Sequence, residues 1–241
     1  MLNVVKITII ILILINIYSA KAKEIINIAV SSNFIYTMKK IKKEFEIDTK
    51  YEIKICSDST SNLYTKIING APFDVFMSAD KKHTSLLIKN KISDNINYTY
   101  AIGILILYSE NNDINLKNIK KIKSKYLSLA NYNLSPYGMA TKFFFKNTKL
   151  KIKSNYVYGL NINQTLNFIK SGNSDIGFIA LSQIKGINKK NKHWIIPEYL
   201  YPKIEQKLTI INNKNIKNSK YFLDYLKQKK IMNIITNSGY K

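Results

Sequence analysis

The sequence predicts an α/β protein whose central sheets are mainly parallel and covered by helices on both faces. Three features carry this. Short apolar runs with period-two alternation recur along the chain, each runs into a polar turn, and each turn opens a stretch of helical period. The pattern fills both halves of the chain, and no low-complexity linker separates them.

The first unit begins at residues 25–30, where Ile26, Ile28 and Val30 alternate as in a buried strand. It ends in Ser31-Ser32-Asn33. Phe34, Met38, Ile41 and Phe45 then recur at helical spacing, so one face of the following helix is buried. The second unit repeats the order: strand 51–56, the turn Ser57-Asp58-Ser59-Thr60-Ser61, and a helix marked by Leu63, Tyr64, Ile67 and Ile68. Gly70-Ala71-Pro72 stops that helix, and residues 74–78 form a third strand.

A second series follows a strand-like run at 101–108. It comprises a strand at 127–130, a turn Ser135-Pro136-Tyr137-Gly138 and a helix from Met139 to Phe145. Residues 156–160 then lead through Asn161-Ile162-Asn163 into a helix that breaks at Gly172. Strands at 176–181 and 208–211 precede two terminal helical segments.

At the amino end, Lys6 precedes an apolar run over residues 7–15, and Ser19-Ala20-Lys21-Ala22 has the small residues of a cleavage site. The run is shorter than the roughly 20 residues that cross a bilayer. Residues 1–22 are therefore expected to be a secretory signal peptide cut near Ala22, giving a periplasmic protein of 219 residues. The single cysteine, Cys56, lies far from that junction, so no lipid anchor is expected there, and one cysteine rules out an internal disulfide and a multi-cysteine metal site. Cys56 is expected to be a small buried apolar residue in a strand.

The formal charge is +23, and residues 1–22 carry Lys6 and Lys21 but no acid, which leaves +21. All 38 basic residues are lysine, and isoleucine and asparagine abound. This pattern fits compositional drift toward A/T-rich codons as well as it fits a nucleic-acid surface. Pairs such as Lys39-Lys40, Lys42-Lys43, Lys120-Lys121 and Lys189-Lys190 sit on polar faces of amphipathic segments, so no nucleic-acid partner is expected.

Ligands of open α/β sheets bind beyond the carboxyl ends of strands. Helix starts there offer free N–H groups and the positive end of the helix dipole, which suit an anion. Four starts qualify: Ser32-Asn33, Ser59-Thr60, Tyr137-Gly138 and Ile162-Asn163. Each one, taken singly, also reads as an ordinary cap.

The stretch Gly70-Ala71-Pro72-Phe73-Asp74-Val75-Phe76-Met77-Ser78-Ala79-Asp80 resembles the G-A-P-A-D-[VL]-F-x-S-A-D segment of the periplasmic molybdate-binding proteins, the binding component of molybdate ABC importers. AVSSNF at 29–34, YAIGILIL at 100–107, LANYNLSPYGMA at 129–140 and NINQTLNFIKSGNSDIGFIALSQ at 161–183 agree in order. The resemblance implies a two-lobed type II periplasmic-binding fold, with lobe one at 23–102 plus 206–241 and lobe two at 103–205. It implies a monomer whose partners are an importer permease and its ATPase, with the membrane reached only through the permease.

The same resemblance implies that oxyanion contacts come from Ser32, Asn33 and Thr60, with backbone N–H contacts from Tyr137 and Ile162. Ser59 is an additional candidate beside Thr60, where the family usually has serine. Ala180 stands where some members place a tyrosine, which removes one possible hydroxyl. The ligand implied is molybdate or tungstate, bound as an oxyanion and not as a bare metal cation, with no cofactor. Another tetrahedral oxyanion, such as sulfate, is the alternative. These dianions only accept hydrogen bonds, so a cage of neutral donors suits them.

An enzyme on the same scaffold is the other reading, but G-x-S-x-G, H-E-x-x-H, G-K-[ST] and dinucleotide fingerprints are all missing, and no catalytic residue is expected. His83 and His193 lie in lysine-rich stretches and are expected at the surface, while Asp74 and Asp80 are expected to be structural caps. The leader is directly testable. Mass measurement of the exported protein should show cleavage near Ala22, and an intact amino terminus in the membrane fraction would refute it.

Overall fold

The computed structural model describes residues 24–111, 113, 114, 124–185 and 192–241. The expected leader lies outside them, as do Lys120-Lys121 and Lys189-Lys190. In chain order the strands are β1 (Glu24–Ser31), β2 (Tyr51–Asp58), β3 (Val75–Ser78), β4 (Tyr98–Gly103) and β5 (Leu105–Ser109). They continue with β6 (Tyr126–Ala130), β7 (Asn155–Gly159), β8 (Ile176–Ala180), β9 (His193–Ile195) and β10 (Ile204–Ile210). The helices are α1 (Ile35–Asp48), α2 (Thr60–Ile68), α3 (Lys81–Lys89), α4 (Pro136–Thr148), α5 (Ile162–Lys170), α6 (Ile216–Leu226) and α7 (Lys229–Asn237).

Two five-stranded sheets organise the chain, in the orders β2-β1-β3-β10-β4 and β7-β6-β8-β5-β9. Within the first, β1 pairs in parallel with β2 and β3, and β10 runs antiparallel to β3 and β4. Within the second, β6 pairs in parallel with β7 and β8, and β5 runs antiparallel to β8 and β9. Each sheet thus has one reversed strand, and that strand is the first entered after the chain passes from the other sheet. This is the two-lobed periplasmic-binding fold.

Side-chain alternation explains why both faces of each sheet are covered. Ile26, Ile28 and Val30 of β1 pack with Phe34, Met38, Ile41 and Phe45 under α1, and the same cluster takes in Phe222 and Tyr225 of α6. Phe45 meets Phe222 and Tyr225 edge-on at centroid separations of 5.4 and 4.9 Å. Ala29 faces the other way, toward Leu63, Ile67 and Leu87 of α2 and α3. In the second sheet Leu105 and Leu107 face Phe144 of α4, and Ile106 and Tyr108 face Leu166 and Ile169 of α5. Each such apolar side chain contributes about 1.5–3 kcal/mol by leaving water.

Several expectations change in the folded chain. The apolar run 101–108 is two strands in different sheets, broken at Ile104 where the chain crosses between lobes. Helix α4 begins at Pro136, three residues before Met139, because proline suits the first helical position, where no N–H is needed. Cys56 is half-buried, not buried, because β2 is the edge strand of its sheet. His83 sits on α3, a helix with no clear signal in the sequence reading, and is half-buried against Asp80. His193 is also half-buried, in β9 beside β5. Lys39, Lys40 and Lys43 are exposed on α1, as the amphipathic pattern predicts.

Asp74 fastens this lobe from within. Its carboxylate accepts from the Asn27 backbone N–H at 2.6 Å and from the Asn213 side chain at 2.7 Å, joining β1 to the loop that follows β10. The residue is 3% exposed. Asp80 is a cap, accepting from the His83 N–H at 2.9 Å. Donors left buried without an acceptor cost about 1–3 kcal/mol each. Asp74→Ala should therefore lower unfolding free energy by about 3 kcal/mol in denaturant titration, and a change within about 0.5 kcal/mol, the usual range for an inconsequential surface substitution, would overturn that role.

Candidate functional site

On the first lobe, β1 ends at Ser31 and passes through a single 3-10 turn, Ser32–Phe34, straight into α1. All three turn residues are buried. The Ser31 and Thr60 hydroxyls lie 2.8 Å apart, and the Ala79 N–H donates to both, at 3.0 and 3.3 Å. One hydroxyl hydrogen of that pair is used in their mutual bond and the other remains available. Ser32 makes no side-chain hydrogen bond among the described residues, so its hydroxyl is a second available donor.

Thr60 is the first residue of α2, and Ser59 caps that helix by accepting from the Asn62 N–H at 3.3 Å. Capping uses the Ser59 hydroxyl as an acceptor and leaves its O–H hydrogen free to donate. Asp58, the one acid in these turns, accepts from the Ser59 N–H at 2.7 Å and pairs with Lys66 at 2.9 Å. Burial alone would raise its pKa, but Lys66, the Ser59 N–H and Asn62 outweigh burial and hold the carboxyl below its ordinary value.

On the second lobe, Tyr137 follows Pro136 in the first turn of α4. Its neighbour Gly138 is required by space: a Cβ there would lie 2.4 Å from the Asn131 carbonyl oxygen and 2.5 Å from that of Ala130. Only glycine lets the start of α4 rest on the end of β6. Ile162 opens α5, capped by the Asn161 side chain, which accepts from the N–H groups of Asn163 and Gln164 at 3.0 Å each. The first N–H groups of a helix have no intrahelical acceptor, so those of Tyr137 and Ile162 stay open to a ligand.

Two residues that sequence reasoning missed hold these parts in place. Gln183 donates to the Ile162 carbonyl at 3.1 Å and to Asn163 Oδ1 at 2.8 Å, and accepts from the Ala180 N–H at 3.0 Å, which ties the end of β8 to the start of α5. Ser31 belongs to a run of polar residues at a strand end, and only the pairing of β1 with β2 shows that it faces Thr60. Ala180 itself is fully buried and brings no hydroxyl.

The two walls touch. Ser61 donates its backbone N–H to Leu134 O at 3.4 Å and its hydroxyl to Asn133 O at 3.2 Å, and Ser182 donates to Asn33 O at 3.2 Å. Asn33 lies at the centre of a further set: its side-chain amide donates to Gln206 Oε1 at 2.8 Å and to the Tyr240 hydroxyl at 3.0 Å, while that hydroxyl donates to Asn33 O at 2.8 Å. Both amide hydrogens of Asn33 are therefore committed within the protein. What Asn33 retains for a ligand is its backbone N–H.

His83 contributes to the rim, with Nδ1 2.8 Å from Asp80 and Nε2 3.2 Å from the Ser61 hydroxyl. His193 lies elsewhere, and burial with the charge of Lys185 depresses its pKa. Among the described residues no cluster of three or more His, Cys, Asp or Glu side chains is placed to hold a metal cation, and no helix is long and apolar enough to cross a membrane.

The phenol of Tyr137 is buried against Gly103, where a Cβ would meet its oxygen at 2.3 Å. The hydroxyl has no partner in good hydrogen-bonding geometry. Burial, then the neighbouring phenols of Tyr240, Tyr201 and Tyr100, hold its pKa well above the ordinary value, with Asn33 opposing. A raised folded-state pKa means that the associated stability is complete below the unfolded phenol value of about 10 and is lost as pH climbs above it. Tyr137→Phe should leave stability at neutral pH within about 1 kcal/mol and blunt the alkaline fall in melting temperature above pH ~10. An unchanged alkaline profile would show that this phenol does not titrate with unfolding.

Comparison with known proteins places the chain in a family. Residues 26–241 match the family described as bacterial extracellular solute-binding protein. The molybdate-binding protein ModA of Azotobacter vinelandii is 35% identical over 231 residues, covering 92% of this chain and 91% of its own. That of Rhodobacter capsulatus is 29% identical over 227 residues, covering 92% and 89%. The solved structure of the Azotobacter vinelandii periplasmic molybdate-binding protein superposes with a TM-score of 0.82 at 26% identity, covering 90% of this chain and 98% of that one. The chain belongs to the bacterial extracellular solute-binding protein family, alongside the ModA proteins.

Proposed function

We propose that this protein binds molybdate or tungstate between its lobes, in the periplasm, and delivers it to the permease and ATPase of an ABC importer. What supports the reading is a set of neutral donors at strand ends and helix starts of both lobes, with Asp58 paired to Lys66 and Asp80 held by His83. The Ser32 hydroxyl, the spare hydrogen of the Ser31–Thr60 pair and the first N–H groups of the helices at Asn33, Thr60, Tyr137 and Ile162 all suit a ligand that only accepts. A dianion held this way needs no counter-charge, because helix starts supply positive potential. The names of the ModA relatives support molybdate as the ligand class.

The division of labour follows from the crossovers. Lobe one comprises about 23–102 plus 206–241, lobe two about 103–205, and a hinge at the two connections lets them close over the anion. Ser61 against Asn133 and Leu134, and Ser182 against Asn33, are then bonds of the closed state. The protein acts as a single copy and has no catalytic step.

Calorimetry of the mature protein against molybdate, tungstate, sulfate and phosphate tests the reading. Molybdate and tungstate should bind well ahead of the other two, and preference for sulfate or phosphate would overturn it. Ser32→Ala and Thr60→Val should each cost about 1.5–3 kcal/mol, the range for a hydrogen bond to a charged group, or roughly a ten- to hundredfold loss of affinity. Full binding in both variants would remove these hydroxyls from the site.

A further inference from the structure

A further cavity lies where the two lobes meet. About 330 Å³ in volume, it opens between Tyr36, Thr37 and Lys40 of α1, Lys170 at the end of α5, Ser182, Gln183 and Lys185 after β8, and Ser238 after α7. Its walls come from both lobes. At about 30 Å³ per water it accommodates something considerably larger than one tetrahedral oxyanion. Among the described residues no carboxylate lines it.

Floor and rim differ in chemistry. Thr37, Ser182, Gln183 and Ser238 are buried, and Lys40, Lys170 and Lys185 are exposed. The Ser238 hydroxyl, on a residue 3% exposed, is buried with no hydrogen-bond partner. Such an orphan carries a desolvation cost that a ligand oxygen would relieve. None of the three lysines has an ion-pair partner among the described residues, although Lys42, Lys66, Lys207, Lys227 and Lys230 all have one. Three unpaired ammonium groups around one cavity repel one another, and the repulsion falls when an anion lies between them.

We propose that this cavity is a second anion site, taking a small multivalent anion of the phosphate type and bridging the lobes from the side opposite the Ser61 contacts. The lysines supply charge, with Lys40 on one lobe and Lys170 and Lys185 on the other, and Ser238 supplies a neutral contact at the floor. Because the site is complete only when both walls are together, its ligand favours the closed lobes. By linkage the oxyanion in the main cleft and the anion here strengthen each other's binding. Gln183 connects the two, since it lines this cavity and holds Ile162.

Inorganic pyrophosphate in magnesium-free buffer is the probe. The mature protein is first saturated with molybdate, which closes the main cleft to competitors, and then titrated by calorimetry. One pyrophosphate should bind per chain, and combined Lys40→Ala, Lys170→Ala and Lys185→Ala should weaken it about tenfold or more, the loss of three charge-assisted contacts. A control with equal charge loss elsewhere, combining Lys39→Ala, Lys43→Ala and Lys54→Ala, should bind as the parent does. Molybdate affinity should rise with pyrophosphate in the parent and not in the cavity variant. The inference fails if loaded protein shows no saturable pyrophosphate binding, or if the control loses it as fully as the cavity variant. If molybdate does not bind at all, the proposed function fails by itself, and pyrophosphate binding lost only in the cavity variant still supports this site.

Discussion

The bonds that gather on Asn33 are the constraint on which the rest of the structure depends. Its amide reaches Gln206 on the strand that returns from the second lobe and Tyr240 at the carboxyl end, and its carbonyl accepts from Tyr240 and from Ser182 of the second lobe. Three parts of the chain that are remote in sequence are fixed by one residue in the turn that leads into α1. The Phe34 ring seals the junction against Tyr100 and Tyr240, at centroid separations of 4.8 and 5.1 Å. Backbone bonds between Ile102 and Lys241, at 2.6 and 3.1 Å, anchor the carboxyl end beside the first crossover. A helix start held this firmly can aim its N–H groups at a fixed point in space.

In the proposed site, position matters so much because the donors are neutral and individually modest. A hydrogen bond to a charged group is worth about 1.5–3 kcal/mol, and several must converge before they rival a lysine in attraction. Neutral donors have a compensating advantage: they leave no buried charge when the ligand departs, so an empty cleft does not carry the several kcal/mol of desolvation that a buried ion would. Asp58 is consistent with that economy, because its carboxylate is satisfied by Lys66, Asn62 and a backbone N–H. The large positive charge of the chain is left to the exposed faces, where it draws anions toward the protein.

Glycine and glutamine do quieter structural work at the same place. Gly103 leaves room for the Tyr137 ring at the crossover, and Gly138 lets α4 begin hard against β6. Gln183 spends both amide hydrogens on the beginning of α5 and accepts from the end of β8. None of these residues needs to touch a ligand. Each decides where a helix start points.

Much of this was legible in the residues themselves. Alternation at Ile26, Ile28 and Val30 and the spacing of Phe34, Met38, Ile41 and Phe45 marked β1 and α1, because burial of one face leaves a local periodic trace. The polar turns at Ser32, Thr60, Tyr137 and Ile162 marked the helix starts, since capping chemistry is also local. Other features have no local trace. The run 101–108 is apolar throughout, so nothing in it distinguishes one strand from two, and only pairing with β10 on one side and β8 on the other breaks it at Ile104. Asn33 looked like a free donor, yet its partners lie 173 and 207 residues further along. Ser31, Gln183 and the half-burial of His83 were hidden for the same reason. Periodicity records which face of an element leaves water, and that is set within a few residues; which donor is spent and which remains free is set by long-range pairing, and only the folded chain decides it.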